Sequence, residues 1–229
     1  MRRFVIGDIH GCSKTFRSLV DKINLKAGDE LYLLGDYINK GPDSKGVLDT
    51  IFGLEESQIK IRALRGNHEQ QLLDAIKKDN KMFNRDPSKS LTLQSFSLNT
   101  PSDIPEKYIR WMDGLPYFYE TDHFFLVHAG FDFTTTNPFV NSKIMLTIRE
   151  YEVNAQMTRN KRIIHGHTPQ EIEKTQQQLS TGSFRINLDG GCVFYRNEEL
   201  ARLMAMDLDS LQLFIQKNID APYAIEVKF

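Results

Sequence analysis

The sequence predicts a mixed α/β (α+β) fold in which two β-sheets pack together and helices flank them. In the first third of the 229-residue chain, short apolar runs that favour strands alternate with stretches of helical periodicity. A polar turn bounded by glycine follows each of the first three runs, as expected where a strand presents side chains at its carboxyl end. The final third adds several short runs, which indicate a second sheet packed on the first.

The elements of the first third come in regular βαβ order. Each predicted strand is a short β-prone run, and each predicted helix repeats apolar residues every three to four positions. Consecutive units of this kind build a parallel sheet covered by helices. In chain order we expect a strand over Phe4 to Ile6, a helix over Cys12 to Ile23, a strand over Leu31 to Leu34, a helix over Ser44 to Phe52, a strand over Ile59 to Leu64 and a helix over Glu69 to Ile76.

Residues 77–122 interrupt this order. The pattern loosens into polar sequence punctuated by proline, with helical periodicity only over Ile104 to Leu115. Because strands resume afterwards, we expect a mostly helical insertion or cap and not a linker. The prediction is a single domain over residues 1–229 that contains the insertion 77–122.

Further strands are predicted after the insertion. Several of them alternate apolar and polar residues, as strands with one buried face do. The run Gln176 to Gln178 is predicted to be an exposed loop. The strands cover Phe124 to Val127, Arg162 to Ile164, Phe184 to Leu188, Leu200 to Leu208, Leu211 to Gln216 and Tyr223 to Val227.

Composition argues against several classes of protein. The formal net charge of −1 argues against nucleic acid as the main partner, because affinity for phosphate backbones comes from clustered lysine and arginine. No stretch approaches the roughly 20 apolar residues of a membrane helix, and Asp8 soon interrupts the run that follows the basic start of the chain. Cys12 and Cys192 are too few and too distant for a disulfide framework, which fits a reducing compartment. We therefore expect a cytoplasmic protein without a membrane partner, of open oligomeric state.

The turns after the first three strands carry metal-ligand side chains. Asp8 and His10 point the same way on an extended segment, because strand side chains alternate, and can chelate one ion. The carboxylate of Asp36 has two oxygens and can bridge two cations about 3.5 to 4 Å apart. Asn67 adds a neutral oxygen. The turns read Gly7-Asp8-Ile9-His10-Gly11, Gly35-Asp36-Tyr37-Ile38-Asn39-Lys40-Gly41 and Gly66-Asn67-His68-Glu69.

Two histidines after later strands complete the candidate ligand set. They lie in Val127-His128-Ala129-Gly130 and in Ile164-His165-Gly166-His167-Thr168. In the second motif we select His167 and not His165, because it follows the glycine and lies in the turn. The mixed oxygen and imidazole set favours manganese, with iron or zinc as alternatives, over magnesium or calcium. His165 and His123 are predicted to be structural, and Glu69 is expected to cap the following helix.

Together and in this order, the five motifs resemble the metallophosphoesterase superfamily, and in particular its phosphoprotein phosphatase branch. The resemblance covers nearly the whole chain. It implies a central β-sandwich flanked by helices, two divalent metal ions, and hydrolysis of phosphoesters through a hydroxide that bridges the ions. Carried over by position, it implies metal ligands at Asp8, His10, Asp36, Asn67, His128 and His167, a general acid at His68, and phosphate-binding side chains at Lys40, Arg65 and Arg149.

The chain departs from that branch beside the implied acid. Protein phosphatases normally read Asp-Arg-Gly where this chain reads Asn39-Lys40-Gly41. The missing carboxylate would have stabilised the charged form of His68, whereas Asn39 is expected to accept a hydrogen bond without bringing a charge. Lys40 stands where those enzymes have arginine. An arginine guanidinium can donate two hydrogen bonds to one phosphate, whereas the lysine ammonium acts as a single compact charge. A site with less acid assistance should favour leaving groups that depart unaided, such as nucleoside phosphates or aryl oxides, over a serine alkoxide.

Three functions remain open from the sequence. The first is a metal-dependent phosphatase of the serine/threonine protein phosphatase type, acting on a phosphorylated protein or a small phosphate. The alternative is a hydrolase of dinucleoside polyphosphates, because the bacterial diadenosine tetraphosphatase branch resembles this chain in lacking a carboxylate at the position of Asn39. The third is an impaired relative that binds phosphorylated partners, which is less favoured since all six ligand positions are filled.

Overall fold

Two mixed β-sheets and flanking α-helices form the fold, as the sequence predicts. The computed structural model describes residues 1–78, 83–140 and 142–223, apart from the side chain of Asn84. Within these ranges, no helix combines the length and the apolar character needed to span a lipid bilayer. The strands are β1 (Arg3–Ile6), β2 (Glu30–Leu33), β3 (Lys60–Ala63), β4 (Phe118–Glu120), β5 (Phe124–Val127), β6 (Arg162–His165), β7 (Arg185–Asn187), β8 (Arg202–Asp207) and β9 (Leu213–Lys217). The helices are α1 (Ser13–Ile23), α2 (Ser44–Glu56), α3 (Asn67–Lys77), α4 (Pro87–Ser95), α5 (Glu106–Asp113) and α6 (Ile172–Ser180).

The two sheets combine parallel and antiparallel strands in different ways. The first has the order β3-β2-β1-β8-β9, in which β1, β2 and β3 run parallel while β8 is antiparallel to both of its neighbours. The second has the order β4-β5-β6-β7, in which β4 pairs antiparallel with β5 and the other pairs are parallel. The parallel pairing of β1, β2 and β3 confirms the βαβ units predicted from the sequence.

An apolar layer lies between the sheets, and helices cover the outer face of the first sheet. On that face α1 buries Phe16, Leu19 and Ile23, whose spacing of three and four residues places them on one side of the helix. Asn24 then ends α1 in the left-handed conformation, with φ of 51°. The layer between the sheets contains Val5, Tyr32, Leu34, Leu64, Phe124, Leu126, Ile164, Ile186, Leu188, Met206 and Leu208.

The structure corrects the predicted elements at three places. Helix α4 and strand β4 lie within residues 77–122, outside the segment Ile104 to Leu115 where helical periodicity was visible. The run Gln176 to Gln178 is part of helix α6 and not a loop, although most of it is exposed. Tyr223 is not in a strand, and the rest of the predicted strand Tyr223 to Val227 lies outside the described residues.

The described part of residues 77–122 packs against α2. The Tyr108 hydroxyl donates a hydrogen bond of 2.6 Å to Asp49, and the Tyr108 ring stacks on Phe52 with centroids 5.5 Å apart. On α4, the Thr92 hydroxyl accepts a 2.9 Å hydrogen bond from the backbone N–H of Asn39. The stretch therefore reaches the motif that follows β2, while its status as a separate cap stays a prediction.

Candidate metal centre

The predicted metal ligands lie just beyond the carboxyl ends of strands from both sheets, in turns or, for Asn67, at the first position of helix α3. In parallel strands these ends share one edge of the sheet, which is where open α/β sheets bind ligands. The predicted ligands follow β1 (Asp8, His10), β2 (Asp36), β3 (Asn67), β5 (His128) and β6 (His167).

Two groups of three side chains at this edge could each hold a cation, and Asp36 belongs to both. One group is His10, Asp36 and His68, the other is Asp36, His128 and His167, and within each the ligand atoms lie within 4.8 Å of one another. Asp36 Oδ2 lies 3.5 Å from His10 Nε2, whereas Asp36 Oδ1 lies 3.5 Å from His128 Nε2. The two carboxylate oxygens thus face different histidines, as expected of a ligand that bridges two ions.

Asn67 and Asp8 adjoin these groups. Asn67 Oδ1 lies 2.9 Å from His128 Nε2 and 3.0 Å from His167 Nδ1. The Asp8 carboxylate accepts hydrogen bonds of 3.1 and 3.2 Å from the backbone N–H of His167. The structure therefore brings all six predicted ligands together, and adds His68 to one group. Their assignment as metal ligands stays a prediction.

Backbone acceptors hold two of the histidines in the form that binds metals. His128 Nδ1 donates to the Leu34 carbonyl at 2.9 Å, and His10 Nδ1 donates to the Ile38 carbonyl at 3.2 Å. With the proton on Nδ1, each Nε2 lone pair faces Asp36. Burial lowers the pKa of His10 and lowers the pKa of His128 to about 3, so both imidazoles are neutral. Carboxylate and imidazole lone pairs that face one another fit a divalent cation between them.

Buried carboxylates concentrate negative charge at the same place. Burial raises the pKa of Asp8 well above its ordinary value, and raises the pKa of Asp36 to about 6. A third buried carboxylate, Asp189, has its pKa raised to about 6, also chiefly by burial. Charged carboxylates are costly in a poorly solvated site unless a cation compensates them. The donor set of this site therefore fits divalent cations.

Asp189 is a member of this acidic group that the sequence analysis missed. It lies in the turn after β7, and its charge is one cause of the raised pKa of Asp8. The signal was available, since Asp189 is followed by Gly190 and Gly191 directly after a predicted strand. A strand end with an aspartate and a glycine is the same feature that identified Asp8 and Asp36.

The turns that carry the site have strained backbones. A positive φ costs a non-glycine residue of order 1 to 3 kcal/mol and persists only where the surroundings hold it, most often at functional sites. Five residues of the predicted site have this conformation: His10 (47°), Asp36 (53°), Asn39 (67°), Lys40 (66°) and His167 (69°).

Glu69 holds one of these strained turns. Its fully buried carboxylate accepts hydrogen bonds, each of 2.9 Å, from the backbone N–H groups of Asp36, Tyr37 and Gly66. The contact with Gly66 confirms the helix cap predicted for Glu69. The other two contacts tie the turn after β2 to helix α3, and so fix the position of Asp36.

We expect Glu69→Ala to lower the free energy of unfolding by about 3 to 5 kcal/mol, because several buried backbone N–H groups lose their hydrogen-bond acceptor. Glu69→Gln retains one acceptor oxygen and should lose less. Urea unfolding followed by circular dichroism measures both values. Equal stability of Glu69→Ala and the unmodified protein would show that the carboxylate does not support the turn.

Two of the predicted phosphate-binding cations lie beside the metal groups. Lys40 Nζ is 3.0 Å from His10 Nε2, so its ammonium reaches a predicted ligand directly. Arg149 is exposed, but its charge contributes to the lowered pKa of His167. Both cations are therefore near enough for their charge to act on a phosphate bound at this edge.

Arg65 contacts helix α3, the end of helix α5 and the segment that follows α5. Its Nη1 donates to Gln70 Oε1 at 2.9 Å, its Nη2 donates to the Asp113 carbonyl, and its guanidinium lies 5.4 Å from the centroid of the Tyr117 ring. The buried Nε has no hydrogen-bond partner among the described residues. Two of the five guanidinium N–H groups are thus used by Gln70 and Asp113, and the phosphate-binding role of Arg65 stays a prediction.

The structure corrects the expected hydrogen bond of Asn39. Its Nδ2 lies 2.9 Å from His68 Nδ1, so the amide donates to the imidazole and does not accept from it. Asn39 Oδ1 instead accepts a 2.7 Å hydrogen bond from the Thr92 hydroxyl. With Nδ1 as an acceptor, His68 carries its proton on Nε2, which lies 3.9 Å from Asp36 Oδ2. Burial, with a smaller effect of Lys40, lowers the pKa of His68 and keeps it neutral.

The remaining two histidines lie apart from the metal groups. His165 is buried at the end of β6, where its Nδ1 is 3.0 Å from the Gly166 carbonyl oxygen. His123 is exposed before β5. Among the described residues, the groups that could hold a metal include His167 and neither of these two, which supports the choice of His167.

Known proteins resemble this chain in sequence. The sequence profile of the calcineurin-like phosphoesterases matches residues 1–214. A symmetrical bis(5'-nucleosyl)-tetraphosphatase of Acidovorax sp. (strain JS42) is 35% identical over 135 residues, which are 57% of this chain and 44% of that protein. The protein of the same name from Delftia acidovorans (strain DSM 14801 / SPH-1) is 40% identical over 87 residues, 38% of this chain and 30% of that protein. The chain thus spans less than half the length of these relatives.

Solved structures share the fold. A protein provisionally assigned as a diadenosine tetraphosphatase superposes with a TM-score of 0.67 and 23% identity, covering 93% of this chain and 92% of that one. A serine/threonine phosphatase of Saccharomyces cerevisiae superposes with a TM-score of 0.60 and 14% identity, covering 97% and 81%. The motifs, the fold and the family profile agree over most of the sequence, and the chain therefore belongs to the calcineurin-like phosphoesterase family.

Proposed function

We propose that the chain is a metal-dependent phosphohydrolase whose preferred substrates are dinucleoside polyphosphates. From the sequence alone this substrate class was the alternative to a serine/threonine protein phosphatase. The observation that carries the proposal is the hydrogen bond between Asn39 Nδ2 and His68 Nδ1. It leaves a neutral imidazole with its N–H on Nε2, which lies 3.9 Å from Asp36 Oδ2.

A neutral imidazole is a weak acid, and this bears on the leaving group. A serine alkoxide is a poor leaving group that needs a proton as it departs, whereas a nucleoside phosphate leaves as a stabilised anion. A hydrogen bond from His68 Nε2–H is enough for the second kind. The names of the relatives, which are bis(5'-nucleosyl)-tetraphosphatases, support the same substrate class.

In this proposal the side chains divide into three sets. Two divalent ions, manganese by preference, would supply positive charge that polarises a water molecule and neutralises phosphate oxygens. Lys40, Arg65 and Arg149 would hold phosphate oxygens, and His68 would donate to the oxygen of the leaving group. The residues that would hold the ions are Asp8, His10, Asp36, Asn67, His128 and His167, as predicted from their spacing.

A substrate comparison tests this function. The chain is loaded with manganese, and kcat/KM is measured for diadenosine tetraphosphate, a phosphoserine peptide and 4-nitrophenyl phosphate. We expect the dinucleotide to exceed the peptide by about 10² or more, because its leaving group needs little protonation. A higher kcat/KM for the peptide would favour a serine/threonine protein phosphatase instead. Tight metal binding without turnover of any substrate would indicate an impaired relative.

Asn39→Asp should change this selectivity. A carboxylate at this position stabilises the imidazolium form of His68, so proton donation to a poor leaving group improves. We expect kcat/KM for a phosphoserine peptide to rise about tenfold, while 4-nitrophenyl phosphate and diadenosine tetraphosphate change little. Equal changes in kcat/KM for all three substrates, or a lower kcat/KM for the peptide, would show that Asn39 does not determine the substrate preference.

A further inference from the structure

A buried chain of hydrogen bonds runs from helix α2 through helix α4 to His68. Ser44 Oγ lies 3.0 Å from Thr92 Oγ1, and the Thr92 hydroxyl donates to Asn39 Oδ1 at 2.7 Å. Asn39 Nδ2 then donates to His68 Nδ1 at 2.9 Å. Ser44, Thr92 and Asn39 are completely buried, so their side chains have no contact with bulk water.

The protons of this chain can be placed by counting donors and acceptors. The backbone N–H of Asn39 points at both hydroxyl oxygens, at 2.9 Å from Thr92 Oγ1 and 3.1 Å from Ser44 Oγ. If Ser44 donates to Thr92 and Thr92 donates to Asn39 Oδ1, every hydroxyl proton has an acceptor.

The opposite orientation of the Asn39 amide leaves one donor unpaired. Its NH₂ would then face Thr92, whose proton would have to turn to Ser44 Oγ. The Ser44 proton would have no acceptor among the described residues, and a buried unpaired hydroxyl is costly. The observed orientation is therefore favoured by the two hydroxyls, before any property of His68 is considered.

We propose that Thr92 is a positioning residue, which orients the Asn39 amide and thereby holds His68 as the neutral tautomer with its proton on Nε2. Thr92 lies in α4, outside all five metal-site motifs. The consequence for catalysis rests on the proposed function, since it requires His68 to donate to a leaving group. The structural part, which is the tautomer of His68, does not rest on the proposed function, because it concerns the protein without metal or substrate.

Nuclear magnetic resonance tests the structural part directly. In metal-free protein labelled with ¹⁵N-histidine, two-bond proton–nitrogen correlations show which ring nitrogen carries the proton, and the His68→Asn variant assigns the signal. We expect Nε2–H in the unmodified protein. Observation of Nδ1–H there would overturn the proposal without any variant being made.

Three substitutions then isolate the Thr92 hydroxyl. Thr92→Val keeps the shape but removes the hydroxyl, so the amide can turn and we expect Nδ1–H of His68 to become populated. Thr92→Ser retains the hydroxyl and should retain Nε2–H. Ser44→Ala removes a hydroxyl from the same chain but leaves the bond between Thr92 and Asn39, so it should also retain Nε2–H. Identical tautomers in Thr92→Val and Thr92→Ser would refute a role for the hydroxyl.

The dependence of rate on leaving group tests the catalytic part. With a series of aryl phosphates, Thr92→Val should lower kcat/KM about tenfold for phenyl phosphate and hardly at all for 4-nitrophenyl phosphate, so the plot against leaving-group pKa becomes steeper. Thr92→Ser should follow the unmodified protein. A uniform loss over the series would indicate a general structural effect and overturn the catalytic part. Failure of dinucleotides as substrates would refute the proposed function but would leave the tautomer result unchanged.

Discussion

Asp36→Asn is expected to lower phosphohydrolase activity by about 10³-fold or more and to remove most of the bound metal. Asp36 is the side chain that belongs to both candidate metal groups, and its oxygens face His10 and His128 separately. An amide has one oxygen lone-pair donor and no charge, so it cannot bridge two cations. Its Oδ1 can still accept the 3.1 Å hydrogen bond from the backbone N–H of His68, so the fold should persist.

Metal content, activity and thermal unfolding together measure this effect. Added manganese should raise the melting temperature of the unmodified protein, because it binds only the folded state, and should hardly raise that of Asp36→Asn. Asp122→Asn is the matched control, since Asp122 is an exposed carboxylate in the turn between β4 and β5. A variant that keeps full activity and both ions would refute the bridging role of Asp36.

The position of the site follows from the sequence because strand ends are local features. An apolar run, a glycine and a polar ligand are adjacent along the chain, and parallel pairing then brings the turns after β1, β2 and β3 to one edge. This is why Asp8, Asp36 and Asn67 could be placed together without any knowledge of packing. Asp189 carried a similar signal and was missed.

Two helices lacked the periodicity on which prediction depends. Helix α6 is polar on most of its surface and buries only Thr175, whose hydroxyl donates at 2.9 Å to the carbonyl of Asn187. Helix α4 buries the three adjacent residues Leu91, Thr92 and Leu93, so no apolar stripe repeats along it. Its start was readable, since Asp86 caps the helix and Pro87 occupies the first turn.

The hydrogen bond of Asn39 could not be predicted for a different reason. An amide can donate or accept, and its orientation depends on the groups around it. The deciding group is Thr92, which lies 53 residues away in the sequence, on the helix that periodicity did not reveal. The sequence therefore identified the unusual residue but assigned it the wrong direction of hydrogen bonding toward His68.

His68→Asn is expected to lower kcat by about 10² to 10⁴ while the metal content stays unchanged. His68 lies in one of the groups that could hold a cation, so the structure offers two roles for its Nε2. If Asn39 donates to Nδ1, the ring proton is on Nε2, and a protonated nitrogen donates a hydrogen bond and cannot ligate a metal. Loss of catalysis without loss of metal is the result that this tautomer requires.

The distinction between donor and ligand is decided by two measurements on the same sample. Metal stoichiometry by elemental analysis reports ligation, and kcat with a poor leaving group reports donation. His123→Asn, at an exposed histidine, controls for the loss of an imidazole and should keep both values. If His68→Asn instead loses one ion, Nε2 is a ligand and the Nε2–H form is wrong. The substrate preference inferred from a neutral donor would then have no basis, because the leaving oxygen would receive its hydrogen bond from another group.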